Sequence, residues 1–171
     1  MIKLIGAAFI LFATTWAGFE SSKHFSERTR QLRLLKTALQ TLEAEIMYGH
    51  TPLHEAARKL AKQLPKPLTW FFESFSKKLT TTETTVKNAW EDSLNEIWKW
   101  TPFKETEYEI LLQFGENLGK HDTMAQQKQI LLTLSHLDRE EEEAREKQQR
   151  YEKMVKSLGF LAGLLLIILL M

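Results

Sequence analysis

The stretch LRLLKTALQTLEAEI, residues 32–46, determines the fold expected for this chain. Its aliphatic side chains recur at steps of three and four residues, which is the spacing of one face of an α-helix. They are Leu32, Leu35, Leu39, Leu42 and Ile46. The pattern predicts an amphipathic helix that packs against other helices. We expect it to end at about Tyr48, with Gly49 as its C-terminal cap.

Beyond this helix, segments of the same period alternate with helix breakers. Apolar stripes that begin at Leu53, Leu68, Val86 and Tyr108 predict the second to fifth helices. The breakers between them are Pro52, Pro65, Pro67, Pro102 and Gly119. Thr51 is the expected cap of the second helix and Asp122 that of the sixth. We expect the sixth to bury Ile130, Leu131, Leu134 and Leu137. We therefore predict an all-α fold, a six-helix bundle.

Both ends of the chain are apolar. The segment from Ile2 to Phe19 carries one charged side chain, Lys3, and residues 157–171 carry none. Their lengths are close to the 17–25 residues that roughly suffice for a membrane span. We predict transmembrane helices at 1–19 and 157–171, continuous with the first and last bundle helices. A cleaved signal peptide is the alternative for the first, although the helical pattern continues past the possible cleavage site.

Basic residues flank both predicted spans on the side of the central domain, residues 20–156. They are Lys23, Arg28, Arg30, Arg33, Lys36, Arg145, Lys147, Arg150, Lys153 and Lys156. At the opposite end of the first span, the one basic residue is Lys3. Because cytoplasmic flanks of membrane helices are enriched in Lys and Arg, we expect the central domain to be cytoplasmic.

Two polar stretches connect the predicted spans to the bundle. They are ESSKHFSERTRQ, residues 20–31, and DREEEEAREKQQR, residues 138–150. Both must leave the same membrane face, so we predict an antiparallel stalk in which opposite charges meet. Its candidate pairing residues are Arg28, Arg30, Arg33, Glu140, Glu141 and Glu143. Two independent, solvated helix faces are the alternative.

Composition argues against catalysis. The chain has no cysteine, which excludes disulfides and thiol chemistry, and a net charge of +1, which does not suggest nucleic-acid binding. Its histidines are scattered, and its acids lie on the polar faces of predicted helices. We expect no enzyme activity, no cofactor and no metal site.

Interaction signals are stronger. Gly159 and Gly163 form a GxxxG pattern within the second predicted span, a spacing that allows close approach of membrane helices, although glycine is also simply tolerated there. Trp70, Trp98 and Trp100 do not all fit the predicted core stripes. They belong either to the core of the bundle or to a surface that binds a partner.

The chain resembles the stage III sporulation AB family of endospore-forming bacteria. The resemblance extends over essentially the whole chain and rests on PLHEAARKLA, residues 52–61, and on LGKHDTMAQQKQILLTLSHL, residues 118–137. That family is similar to the type II secretion system F domain, a six-helix cytoplasmic bundle. The stretch with Gly115, Glu116 and Gly119, followed by Asp122, looks like the Gly-Glu-containing turn of those domains, a candidate interaction site. The chain has one such domain where the secretion proteins have a tandem pair.

The resemblance implies a non-enzymatic platform subunit in the mother-cell membrane around the forespore. It would belong to a channel complex between the two compartments and dock a secretion-type ATPase, the stage III sporulation AA protein, to the membrane assembly. Homo-oligomerisation is possible. The alternative function is a membrane-tethered adaptor or regulator that captures a soluble partner helix.

Overall fold

The computed structural model describes residues 26–48, 51–81, 84–118 and 123–170, and within them every regular element is helical. The first helix, α1, covers residues 26–47. The others are α2 (Leu53–Gln63), α3 (Leu68–Leu79), α4 (Val86–Ile97), α5 (Glu105–Asn117) and α6 (Thr123–Leu170), and a 3₁₀ turn, Trp98–Trp100, follows α4. The prediction of an all-α chain with six helices is confirmed for these residues.

The chain divides into two compact units. We call Arg30–Glu141 the bundle unit; it contains most of α1, all of α2–α5 and the first part of α6. The described part of the terminal unit consists of residues 26–29 and 142–170. Arg28, Thr29 and Ala144 are buried in it. No helix within the described residues offers a stretch long and apolar enough to cross a membrane. The predicted span at 1–19 lies outside the described residues.

In the bundle unit, α2–α5 follow one another in space as they do in sequence. α2 packs against α3, α3 against α4, and α4 against α5. The fully buried large side chains are Trp90, Phe71, Phe72, Phe75, Phe114, Leu32, Leu35, Leu39, Leu42, Leu68, Leu94 and Leu111. The stripe at 32–46 is therefore a core face, as its spacing predicts, and only Ile46 is less than fully buried.

The indole of Trp90 lies at the centre of this core. Its ring meets those of Phe71 and Phe75 edge-on at centroid distances of 4.7 and 5.0 Å, and that of Phe114 at 5.0 Å. Such edge-to-face pairs are a favoured aromatic geometry. Trp90 Nε1 donates a hydrogen bond to the carbonyl oxygen of Leu111 at 2.8 Å, so its polar atom is satisfied in the core.

Gly115 provides the space that Trp90 occupies. A Cβ atom at this position would lie 2.2 Å from Trp90 Cδ1 and 2.7 Å from Cγ, which no real contact allows. The residue lies within α5, one turn after Leu111, whose carbonyl accepts the indole proton. The close packing of α5 on α4 therefore requires glycine here.

α1 and α6 are antiparallel neighbours in the bundle unit. Arg33 and Lys36 contact Glu141, whereas Glu43 near the other end of α1 accepts a hydrogen bond from Gln127 at 3.2 Å. The buried face of α6 comprises Gln126, Ile130, Thr133, Leu134, Leu137 and Glu141. Leu131, predicted on this face, is 54% exposed, so that prediction is wrong. It lies beside Ile130 in sequence and is therefore rotated by about 100° around the helix axis.

Two helix starts differ from the sequence expectation or were not foreseen. Pro52, not Thr51, is the N-cap residue of α2, and its carbonyl accepts hydrogen bonds from the amides of Glu55 and Ala56. Glu107 is fully buried, and its carboxylate accepts the Lys104 backbone amide at 2.6 Å as part of a capping box at the start of α5. Asp122, Gly49 and Gly119 lie outside the described residues.

Replacing Gly115 by Ala should destabilise the bundle unit by about 1–3 kcal/mol, because the new methyl group forces Trp90 out of its position. Urea unfolding of the full-length protein in detergent, followed by far-UV circular dichroism, would measure this loss. Gly159→Ala is the matched control, since a Cβ there meets nothing within 4 Å. Equal stability of the Gly115→Ala variant and the wild type would contradict the role assigned to the glycine.

Candidate functional site

Four charged side chains join α1 to α6 at the end of the bundle unit where both helices leave it. Lys36 Nζ lies 2.5 Å from Asp138 Oδ1 and 2.6 Å from Glu141 Oε2, and Arg33 Nε lies 3.0 Å from Glu141 Oε1. We call these four residues the ion cluster. Each helix contributes two of them, three residues apart, so that both side chains point to the same side of their helix.

Burial differs within the ion cluster and concentrates on Glu141. Its side chain is only 12% exposed, against 61% for Arg33 and 68% for Asp138. Glu141 also continues the buried stripe of α6 after Leu137. A carboxylate at such a position is stable in its charged form only when cations accompany it.

The pKa values follow from this geometry. Burial pushes the pKa of Glu141 upward, but the hydrogen bonds from Lys36 and Arg33 outweigh burial and hold that pKa below its ordinary value. Hydrogen bonds to Asp138 and Glu141 raise the pKa of Lys36. Glu141 and Lys36 are therefore both charged at neutral pH.

Of the predicted stalk residues, the structure thus brings Arg33 and Glu141 together. Arg30 is exposed, Glu140 is half-buried, and Arg28 is buried in the terminal unit. Glu143 is exposed and pairs with Lys147 along α6. The spacing of four residues between Glu141 and Arg145 would also allow an ion pair along α6. Arg145 instead pairs with Glu142 at 3.1 Å, while Glu141 is engaged by α1.

Sequence reasoning counted Lys36 only as a flanking charge and missed its bonds to Asp138 and Glu141. A usable signal was present. The basic pair Arg33 and Lys36 and the acidic pair Asp138 and Glu141 have the same spacing of three residues. On antiparallel helices, two such pairs can face each other, as they do here.

The predicted interaction turn is placed differently. Gly115 and Glu116 lie inside the last turn of α5, not in the loop after it, and Gly115 is buried against Trp90. Glu116 is exposed, and its carboxylate lies 2.6 Å from Lys87 Nζ on α4. Gly119 and Asp122 are outside the described residues. Within the described part of the site, Gly115 is therefore a packing residue, and Glu116 ties α5 to α4.

The glycine pair of the second predicted span lies in the last part of α6. Gly159 is exposed, and a Cβ there would meet open space. Gly163 belongs to the same helix four residues later. Five apolar side chains in the same part of α6 have exposed fractions of 49–67%: Met154, Leu158, Leu161, Leu165 and Ile168. This part of the helix therefore has an exposed apolar surface.

Trp70, Trp98 and Trp100, which the sequence assigns to either the core or a binding surface, are not core residues. Trp100 is 62% exposed and Trp70 38% exposed, with Lys99 and Lys66 ammonium groups 5.5 and 5.0 Å from their ring centroids. Trp98 is half-buried, and its ring centroid lies 4.7 Å from that of Tyr108. Trp70 and Trp100 are surface aromatic groups of the kind enriched in protein interfaces.

Among the described residues, no group of three or more His, Asp or Glu side chains could hold a metal ion. The arrangement that the structure does show is one of helix contacts, ion pairs and exposed apolar or aromatic surface. Surfaces of this kind are typical of contacts made through packing and charge.

Glu141→Gln should lower the stability of the bundle unit by about 1–2 kcal/mol at pH 7, because a partly buried charged hydrogen-bond network loses its shared acceptor. A carboxyl group whose pKa is lowered by folding stabilises the folded state when the pH is above its pKa in the unfolded chain. This stabilisation is lost as the pH falls through its pKa in the folded state. The difference between variant and wild type should therefore shrink below the ordinary pKa of 4.5. Lys36 has a raised pKa, so it stabilises the folded state below its ordinary pKa of 10.5. This contribution is lost as the pH rises through the folded-state pKa.

Chemical unfolding between pH 3 and pH 8 measures that difference. Glu146→Gln is the control, since it removes one exposed carboxylate from the same helix. A pH-independent difference for Glu141→Gln, or an equal effect of the control, would show that the charge of Glu141 is not what stabilises the pair.

The comparisons with known proteins agree with one another. The family model of stage III sporulation protein AB matches residues 3–171. Stage III sporulation protein AB of Bacillus subtilis (strain 168) is 56% identical over 171 residues, which cover 100% of both chains. A solved structure of stage III sporulation protein AB is 51% identical, with a TM-score of 0.71, and the match covers 72% of this chain and 98% of that one.

These names describe a sporulation protein and indicate no catalytic activity. The matched lengths exclude a likeness limited to one segment, because the family model and the curated relative both extend across the two apolar ends. From its sequence and its fold together, this chain belongs to the stage III sporulation protein AB family.

Proposed function

We propose that this chain is a non-enzymatic membrane platform subunit of a channel or secretion-like complex between mother cell and forespore. In this proposal, residues 1–19 and 157–171 anchor it in the mother-cell membrane around the forespore. The bundle unit lies in the cytoplasm and docks a secretion-type ATPase, the stage III sporulation AA protein, to the membrane assembly.

The antiparallel pairing of α1 and α6 is the observation that carries the proposal. The ion cluster joins the two helices where Arg30 and Glu141 bound the bundle unit. The chain therefore enters and leaves this unit at one end. Apolar segments follow in both directions, which suits a domain attached to one membrane face by two anchors.

The exposed apolar surface of the last part of α6 supports the proposal of a membrane anchor there. From Ser157 to Leu170 the chain is helical, and it carries no charge there. A helix satisfies its own backbone hydrogen bonds, which a lipid environment requires. The exposed aliphatic side chains from Leu158 to Ile168 would face lipid, and the open space at Gly159 would admit another membrane helix.

Charge supports the orientation. The basic residues that flank both apolar segments lie on the domain side, and the far end of the first segment has only Lys3. Within 15–20 residues of a span, such a bias sets the side that remains cytoplasmic. A cytoplasmic bundle unit is where a nucleotide-driven motor could bind, as the resemblance to secretion F domains implies.

Membrane topology can be tested with single cysteines, because the natural chain has none. Ser135→Cys, exposed in the bundle unit, should react with a membrane-impermeant maleimide only after lysis of protoplasts of a vegetative host. Met171→Cys should react in intact protoplasts. The unmodified chain is the labelling control. Equal labelling of both positions before lysis, or release of the protein by alkaline carbonate, would contradict two membrane anchors.

Docking of the ATPase is tested by affinity purification of the tagged full-length chain from membranes of its sporulating host in mild detergent. We expect the ATPase and other channel proteins to be recovered in one large complex. An unrelated tagged protein with two membrane spans is the control. Recovery of the chain alone, under conditions that preserve other membrane complexes, would contradict the platform and favour a membrane-tethered adaptor.

A further inference from the structure

Charge is segregated between the two helical hairpins of the bundle unit. The α2–α3 hairpin, residues 53–79, has six basic and two acidic side chains and a net charge of +4. The α4–α5 hairpin, residues 86–118, has three basic and seven acidic side chains and a net charge of −4. The near-neutral total of the chain conceals a bundle with a positive side and a negative side.

The positive side has exposed cations and one exposed aromatic ring. Arg58, Lys62 and Lys77 are exposed, and no ion pair links them to an acid within the described residues. Trp70 lies on the outer side of α3, with the Lys66 ammonium 5.0 Å from its ring centroid. We call Arg58, Lys62, Trp70 and Lys77 the basic face.

The negative side is formed by the outer surface of α4 and α5. Lys87 contacts Glu116, and Tyr108 donates a hydrogen bond to Asn95 at 2.6 Å, which fixes the two helices side by side. Glu91 lies midway between Lys87 and Asn95 at helical spacing, and Glu105 and Glu109 are exposed on α5. We call Glu91, Glu105 and Glu109 the acidic face.

The basic face lies on the α2–α3 hairpin and the acidic face on the α4–α5 hairpin, with Arg58 and Lys62 on α2 and Glu105 and Glu109 on α5 furthest apart in the row of helices. α2 packs on α3, α3 on α4, and α4 on α5, so α3 and α4 separate α2 from α5. Where the hairpins meet, Lys78 Nζ lies 2.8 Å from Glu96 Oε1, and the Ser74 hydroxyl donates to Glu96 Oε2 at 2.5 Å. At this junction between the hairpins, a lysine of α3 thus pairs with a glutamate of α4 within one chain.

We propose that the basic face of one copy docks on the acidic face of a second copy, so that the bundle units associate head to tail. Equal and opposite net charge on two separated faces favours a second copy over an acidic partner, which would leave the acidic face uncovered. A contact between two different faces is heterologous and extends to a ring or a row of copies.

The contact depends on Trp70 as well as on charge. Exposed ion pairs are each weak and are screened by salt, so they set orientation and partner choice. An exposed tryptophan at the centre of a contact supplies apolar area and is a frequent anchor of interfaces. This inference deepens the proposed platform function, since it gives the single domain of this chain a way to build a repeating assembly.

Charge reversal tests the proposal on the full-length protein in detergent, with mass measured by light scattering after size exclusion. The first variant carries Arg58→Glu, Lys62→Glu and Lys77→Glu, which makes both faces acidic. The second carries Glu91→Lys, Glu105→Lys and Glu109→Lys, which makes both faces basic. Each variant alone should associate roughly tenfold or more weakly than the wild type, because like charges then meet across the contact.

The mixture of the two variants is the decisive sample. An acidic copy should bind a basic copy, so differently tagged variants should recover each other although neither recovers itself. A third variant with Lys128→Glu, Arg139→Glu and Arg150→Glu changes the net charge as much as the first, at exposed sites on α6, and should associate like the wild type. Association of the wild type should weaken in 0.5 M salt.

A monomeric wild type, self-association of either reversed variant at wild-type strength, or failure of two folded variants to recover each other would overturn the head-to-tail contact. Circular dichroism of each variant establishes that it is folded before it is compared. Membrane labelling and recovery of the ATPase by the wild type are independent of these results, so the platform function can stand when this contact fails.

Discussion

The fit of the Trp90 indole against the bare backbone of Gly115 is the constraint on which the bundle depends. The ring contacts phenylalanines of α3, lies on α4 itself, and donates its proton to a carbonyl of α5. Three successive helices are thereby fixed around one side chain. Protein interiors are packed about as densely as organic crystals, so a single added methyl group at Gly115 cannot be absorbed by small adjustments.

The pairing of α1 with α6 has a different physical basis from the packing around Trp90 and a different effect on the structure. The contacts between them are polar: Gln127 donates a hydrogen bond to Glu43 near one end, and the ion cluster joins the helices at the end where both leave the bundle unit. Charged groups at that position cost desolvation and gain attraction, so their net contribution to stability is modest. What they determine is the register of the two helices, and therefore where the chain enters and leaves the domain.

Much of this arrangement could be predicted from the local periodicity of apolar residues in the sequence. The stripe at 32–46 identifies the core face of α1, and the positions of helices two to six follow from the breakers between apolar repeats. Leu131 was wrongly placed on the buried face of α6, because it adjoins Ile130 and the spacing of the stripe does not decide which of the two points inward. The burial of Glu141 was equally inaccessible, since its cations come from Arg33 and Lys36 on the opposite helix.

Gly115 shows a more general limit. In a sequence, glycine after a helical segment indicates a turn, whereas here it permits close approach of two helices. Only the position of Trp90 distinguishes the two, and that position is a property of the folded chain. The candidate interaction site was therefore located by resemblance, and the role of its first glycine became clear from packing.

The ion cluster also has a consequence for the order in which the protein can be made. Arg33 and Glu141 are 108 residues apart in sequence. At a synthesis rate of about 5–20 residues per second, the first helix waits roughly 5–20 s for its partner. The neighbouring contacts of α2–α5 can form in that interval, because each joins segments already made. During it, Arg33 and Lys36 lack their carboxylate partners on α6, so the end at which the chain enters and leaves the domain is completed last.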